Sequence, residues 1–189
     1  PFSNNPKIMS SKIPFFAFFL FCFFCEILGS EIELPSIFGD HMVLQRDKPI
    51  PVWGWSEEGQ EVKVSFAGKS ASAKAGEDGR WEVRLPAMKA CSQGRELTIE
   101  GSEKILVKDV LVGEVWVCSG QSNMEWSVNG ALNPNEERQS ANHPRIRHVK
   151  VPRLPSDSHE RNFDAKWQVC SPATAGGFTA VGYYFGRAL

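Results

Sequence analysis

The chain has 189 residues, 42% hydrophobic and 23% charged, with a formal net charge of -1. That balance describes a globular chain and excludes a disordered or collagen-like one. There is no run of five or six like charges, so nucleic acid is not an expected partner, and Arg145, Arg147, His148, Lys150 and Arg153 read as a solvated strand face.

Residues 1–30 read as processing signal rather than structure. Met9 is the expected start, and Pro1 to Ile8 are expected to be translated untranslated sequence. Lys12 gives a positive n-region, Ile13 to Cys25 an apolar h-region, and Leu28, Gly29 and Ser30 the small residues of a cleavage site. An h-region of thirteen residues falls short of the roughly twenty that a spanning helix needs. A signal peptide is therefore expected in preference to an uncleaved signal anchor, the alternative that stays open, with no membrane span after its removal and a secreted or lysosomal destination. Cys22 and Cys25 would leave with it, so their spacing carries no redox or zinc meaning. Cys91, Cys118 and Cys170 remain, an odd number for an oxidising compartment, with Cys118 expected in the core. The chain holds no Asn-x-Ser/Thr sequon.

From Glu31 to Asp109 short strands alternate with turn chemistry. Pro51 to Trp55 is one strand. Val62, Val64 and Phe66 then share a face opposite Glu61, Lys63 and Ser65. Gly68 turns the chain into a strand from Ser70 to Ala75. Asp78 and Gly79 turn it into Trp81, Val83 and Leu85, and Leu97 and Ile99 repeat the alternation. This spacing predicts a small β-sandwich domain over 31–109. Trp53, Trp55 and Trp81 could stack on sugars, but their alternation with strand neighbours favours core filling.

Over 110–189 an α/β pattern is predicted. Val110, Leu111, Val112, Val115, Trp116 and Val117 show little polar alternation and suit a buried strand of a parallel sheet. Asn133, Pro134 and Glu136 favour a helix start, giving a helix to about Ala141 and then a strand over Ile146 to Val151. Strand, helix and strand make a βαβ unit with a right-handed crossover. Pro152 to Gly177 reads as a long surface loop. Phe178, Val181, Phe185 and Ala188 recur at helical spacing and predict an amphipathic helix. Two strands and two helices fall short of a covered open sheet, so a longer protein is expected.

Ligands of parallel sheets sit beyond the carboxyl ends of the strands, where Gly120, Gln121, Ser122 and Asn123 form a turn. A serine there is lifted clear of the sheet, and backbone N–H groups of the turn can stabilise an oxyanion. The G-x-S-x-G elbow is not matched, because its second glycine is absent. Strand-end Gly-Ser turns also serve as plain turns or phosphate cradles. Gln121 and Asn123 could orient a nucleophile or only close the turn, while Glu125 and Trp126 could line a substrate mouth or only pack. His41, His143, His148 and His159 have no metal-ligand spacing and are expected to be structural or exposed.

The segment LVGEVWVCSGQSNMEW (111 to 126) closely resembles block I of the SGNH-type serine esterases, specifically the sialate O-acetylesterase family of carbohydrate acetylesterases. Further matching pieces are LPSIFGDHMVLQRDKPIPVWGW (34 to 55), DGRWEVRLPAM (78 to 88), Trp167 to Pro172, and FTAVGYYFGRAL (178 to 189). The resemblance implies a β-sandwich followed by the start of an SGNH, flavodoxin-like α/β hydrolase domain. It further implies Ser122 as nucleophile with its backbone N–H as one oxyanion donor, and Gln121, Asn123 and Glu125 as pocket candidates. The implied reaction is removal of O-acetyl groups from sugars, 9-O-acetyl sialic acids by analogy, without metal or organic cofactor. The remaining oxyanion donors, a glycine and an asparagine, and an Asp-x-x-His pair are implied after Leu189, so these 189 residues alone are expected to be inactive. Two other classes stay open: an extracellular glycan-binding protein with a vestigial esterase domain, and a nucleotide-binding flavodoxin-like domain. The secretory signal and the absence of G-x-G-x-x-G and Walker sequences weigh against the nucleotide-binding reading.

Overall fold

The computed structural model describes residues 31–189; the expected signal segment lies outside the described residues. Seven strands come first: β1 (Val43–Gln45), β2 (Ile50–Trp55), β3 (Glu61–Phe66), β4 (Lys69–Lys74), β5 (Arg80–Leu85), β6 (Cys91–Glu100) and β7 (Lys104–Gly113). β1, β7, β6, β3 and β4 lie in that order in one mixed sheet, with β1 parallel to β7 and the other pairs antiparallel. β2 and β5 form a separate antiparallel pair, Val52 facing Val83 and Gly54 facing Trp81.

Period-two patterning explains why these groups share one core. Val62, Val64 and Phe66 of β3, Val52 of β2, Trp81, Val83 and Leu85 of β5, and Leu97 and Ile99 of β6 are buried together. Each such aliphatic side chain contributes about 1.5–3 kcal/mol by leaving water. Trp81 fills this core as expected, with Trp53 only partly buried against it. Turns fall where the sequence supplies left-handed backbone: Gly68 has φ +76 and Gly79 φ +73.

Beyond β7 lie a 3-10 turn (Ser122–Glu125), a second one (Val128–Gly130), α1 (Pro134–Ser140), β8 (His143–His148), β9 (Gln168–Cys170), a third 3-10 turn (Ala175–Gly177) and α2 (Ala180–Ala188). Pro134 opens α1 with Glu136 and Glu137 in its first turn, as the sequence predicts. Asn133, however, stands in left-handed backbone and makes no side-chain cap bond. A second, smaller core gathers Val128, Ala141, Cys170, Ala175, Phe178, Ala180 and Tyr183.

This half departs from the expected βαβ unit. β8 pairs antiparallel with β9, inside what the sequence reads as a long loop, and β7 ends at Gly113 in the mixed sheet. The 109/110 boundary thus falls within β7. Residues 114–120 form no strand, Val117 is 89% exposed, and Cys118 is exposed rather than core. The reason is that an apolar run becomes a central strand only when neighbouring strands pair its backbone, and no described strand pairs these residues. In α2 the buried residues are Ala180 and Tyr183, whereas Val181 and Phe185 point outward. Nor is the basic group wholly solvated, because the Arg147 side chain is only 6% exposed and pairs with Asp109. No helix among the described residues is long and apolar enough to cross a membrane.

Candidate active site around Ser122

Ser122 begins a 3-10 turn immediately after Gln121, whose backbone is extended. Gly120 has φ +150, a conformation that side-chain-bearing residues rarely adopt, so glycine here sets the direction in which the turn departs. The turn is closed by Met124 N–H donating to the Gln121 carbonyl at 2.9 Å and Trp126 N–H donating to the Asn123 carbonyl at 3.3 Å. The Ser122 N–H opens the turn, where no intrahelical acceptor exists. Gln121, Ser122, Asn123 and Glu125 are all exposed, so the structure brings together the four residues singled out from sequence on one short, accessible turn.

The segment is held from two sides. On the sheet side, the Gln45 amide donates to Glu114 Oε2 at 2.9 Å, and its Oε1 accepts from Val115 N–H at 2.9 Å. Arg46 Nε donates to Glu114 Oε1 at 2.7 Å, and Arg46 N–H donates to the Gly113 carbonyl at 2.9 Å. The hydrogen bonds from Gln45 and then Arg46 hold the Glu114 carboxyl below its usual range. On the other side stands α2. Trp116 meets Phe185 edge-on, and a Cβ at Gly182 would lie 2.8 Å from Cys118 Sγ, so the segment runs close along this helix. Val128 N–H donates to the Phe178 carbonyl at 3.0 Å and Ala180 N–H to the Trp126 carbonyl at 2.8 Å.

Glu125 is engaged by Arg153 Nη2 at 2.5 Å. Trp126 is 61% exposed, with its indole N–H donating to the Gly130 carbonyl at 2.6 Å, so it does not pack into the core. Among the described residues, the contacts of His41, His143 and His148 lie elsewhere than Ser122. His41 Nδ1 lies 2.7 Å from Asp109 Oδ2, His143 lies near Tyr183, and His148 stacks on Phe178 with centroids 4.5 Å apart. Burial, reinforced by Lys150, holds the His148 imidazole below its usual pKa. A depression of about 390 Å³ is lined by Asn142, His143, Arg145, Ile146 and Arg187 and does not include Ser122. No group of three or more metal-ligating side chains occurs among the described residues.

Sequence reasoning missed Gln45, Arg46 and Glu114, which anchor the start of the segment that leads to the turn. The signal was the unbroken polar pair Gln45 and Arg46 directly after Val43 and Leu44, which breaks strand alternation at the end of β1.

No protein-family model matches the chain. It is 30% identical over 182 residues to the human protein named sialate O-acetylesterase, covering 85% of this chain and 35% of that protein. It is 29% identical over 181 residues to the rat protein of the same name, covering 85% of this chain and 33% of the relative. A solved carbohydrate acetylesterase from Xanthomonas citri superimposes with a TM-score of 0.81 at 42% identity, covering 84% of this chain and 37% of that one. The chain therefore spans about a third of the length of these relatives. The resemblance to the sialate O-acetylesterase family holds across 85% of this chain and extends to the three-dimensional structure of a carbohydrate acetylesterase.

Proposed function

We propose that the protein is a carbohydrate O-acetylesterase in which Ser122 is the nucleophile. Its Oγ attacks the acetyl carbonyl of an O-acetylated sugar and the sugar oxygen leaves with a proton, giving an acetyl-serine. Water then attacks that ester, releasing acetate and restoring the serine hydroxyl. The Ser122 N–H, which lacks an intrahelical acceptor, is one oxyanion donor in this scheme. Gln121 and Asn123 flank the carbonyl, and Glu125, tied to Arg153, borders the pocket. The general base is a histidine of the Asp-x-x-His pair that the resemblance implies after position 189.

The observation that carries this reading is the exposed serine on a turn launched by Gly120 at φ +150, within a chain 42% identical to a carbohydrate acetylesterase. The finer parts of the proposal are 9-O-acetyl sialic acids as substrate, a β-sandwich over 31–109 with an SGNH-type domain beginning at 110, and secretion or lysosomal delivery after removal of residues 1–30. The shared core of the seven strands supports the sandwich. The apolar run over 13–25 supports the signal.

The test is acetate release from 9-O-acetyl sialic acid and from acetylated xylan by the longest natural form of the protein and its Ser122→Ala variant. Loss on the order of 10⁴–10⁶-fold in the variant is expected. Activity retained by Ser122→Ala would overturn the assignment. Binding of acetylated glycans with no acetate release by the unaltered protein would select the non-catalytic glycan-binding reading.

A further inference from the structure

Of the five described non-glycine residues with left-handed backbone, His41 with φ 70 and Asp109 with φ 55 lie in contact with each other. Such conformations are costly for side-chain-bearing residues and persist where the surroundings over-determine them. Here the surroundings converge on one carboxylate. His41 Nδ1 and Arg147 Nη1 each lie 2.7 Å from Asp109 Oδ2. The Arg147 side chain, 6% exposed, also donates from Nε to the Pro144 carbonyl at 2.8 Å and from Nη1 to the His41 carbonyl at 3.4 Å. His41 N–H donates to the Lys108 carbonyl at 2.9 Å, and Lys108 N–H donates to Asp40 Oδ1 at 2.7 Å.

The fourth side is β6. A Cβ at Gly94 would stand 2.0 Å from Asp109 Oδ1, and the β6–β7 register shifts on both sides of Arg95. Glycine and the irregular ladder together make room for the carboxylate. The loop before β1, β6, β7 and β8 thus meet at one oxygen-bearing group. Asp109 lies four residues before Gly113, where β7 ends and the run to Ser122 begins. Arg147 lies beside Ile146 on β8, which faces Gly186 of α2, the helix that backs that run.

We infer that Asp109 is a positioning residue: through His41 and Arg147 it docks β8 on the mixed sheet and fixes the direction in which the Ser122 segment leaves β7. The coupling between β8 and that segment is independent of any chemistry at Ser122; only its consequence for catalysis rests on the esterase reading.

Hydrogen exchange followed by mass spectrometry on the longest natural form of the protein tests the coupling. In Asp109→Asn and in Gly94→Ala, which displaces the carboxylate, exchange of peptides over 114–126 and 143–148 rises at least about tenfold, while peptides over 61–74 keep the unaltered rate. His41→Asn keeps protection, because asparagine tolerates left-handed backbone and offers a donor; His41→Ala loses it. Should Asp109→Asn fail to fold, Arg147→Met supplies the same reading, since it removes the donors to Asp109 and to the His41 carbonyl while keeping the apolar stem of the side chain. Unchanged exchange over 143–148, or an equal rise over 61–74, overturns the inference. A missing rescue by His41→Asn overturns it as well. Acetate release, read separately on the longest natural form, reports on the esterase proposal and leaves this outcome unaffected.

Discussion

Gln45 uses both ends of its amide on the chain leaving β7: the nitrogen donates to Glu114 and the oxygen accepts from the Val115 N–H, each at 2.9 Å. Val115 has no ladder partner, so this side chain supplies what a neighbouring strand would otherwise give. In Gln45→Ala the Val115 amide should exchange faster on the order of threefold to tenfold, the worth of one net hydrogen bond. Val112, which lies in the β1–β7 and β6–β7 ladders, should be unaffected. Amide exchange resolved by NMR decides it, and equal rates at Val115 in both proteins would refute the role.

The glycine of β2 gives a stability prediction. A Cβ at Gly54 would lie 2.3 Å from the Glu33 carbonyl oxygen and 2.7 Å from the buried Trp81 ring. Backbone cannot yield as a flexible side-chain end can, and Trp81 is fixed in the core. Gly54→Ala should therefore destabilise by about 1–3 kcal/mol, the usual cost of overpacking. Denaturant unfolding measures it; an unchanged midpoint would show that the Glu33–Trp55 bridge gives way without cost.

How much of this was legible in sequence depended on where the partners of each residue lie. Val62, Val64, Trp81, Val83, Leu97 and Ile99 revealed their burial because period-two alternation is local to each strand, even though β2 pairs with the distant β5 and β3 with the distant β6. Val115, Trp116 and Val117 share the hydrophobicity of a central strand, but pairing is a property of what lies beside them, and residues 114–120 form no strand and are paired by no described strand. In α2, spacing alone selected Val181 and Phe185, whereas the buried face was settled by Tyr183, whose hydroxyl reaches Glu137 on α1. The turn at Ser122 was legible from Gly120 onward. Its supports were not, because Gln45 is 69 residues from Glu114 and His41 is 68 residues from Asp109.

The Tyr183–Glu137 contact carries a spectroscopic prediction. Burial first, and then the hydrogen bond and charge of Glu137, push the Tyr183 phenol up to about 12, while Arg187, also bound to Glu137, opposes them. Because the folded value is raised, the neutral phenol's contribution to stability is present below the ordinary tyrosine pKa of about 10 and is lost as pH rises through about 12. In a Tyr184→Phe background, which leaves Tyr183 as the only tyrosine, Glu137→Gln should move the ultraviolet titration downward. The remaining burial should still keep it above the ordinary value. An unmoved titration would mean that burial alone sets the shift.

His148 predicts the acid side of the same region. The ring is desolvated against Phe178, with centroids 4.5 Å apart and planes 21° from parallel, and lies near Lys150, so the neutral imidazole is favoured in the folded chain. The folded pKa is depressed, so the stability from the neutral ring is fully present above the unfolded value of about 6.5 and is lost as pH falls from there toward the folded value. One proton limits the slope to about 1.4 kcal/mol per pH unit. Asp109 and Glu137, whose carboxyls are lowered chiefly by hydrogen bonds from Arg147 and from Tyr183, lose their contribution only at more acidic pH and do not confuse this window. His148→Phe keeps an aromatic face on Phe178 and removes the titration. Thermal melts between pH 7.5 and 5 should show the unaltered chain losing more stability than His148→Phe, and parallel curves for the two proteins would exclude His148 as the titrating group.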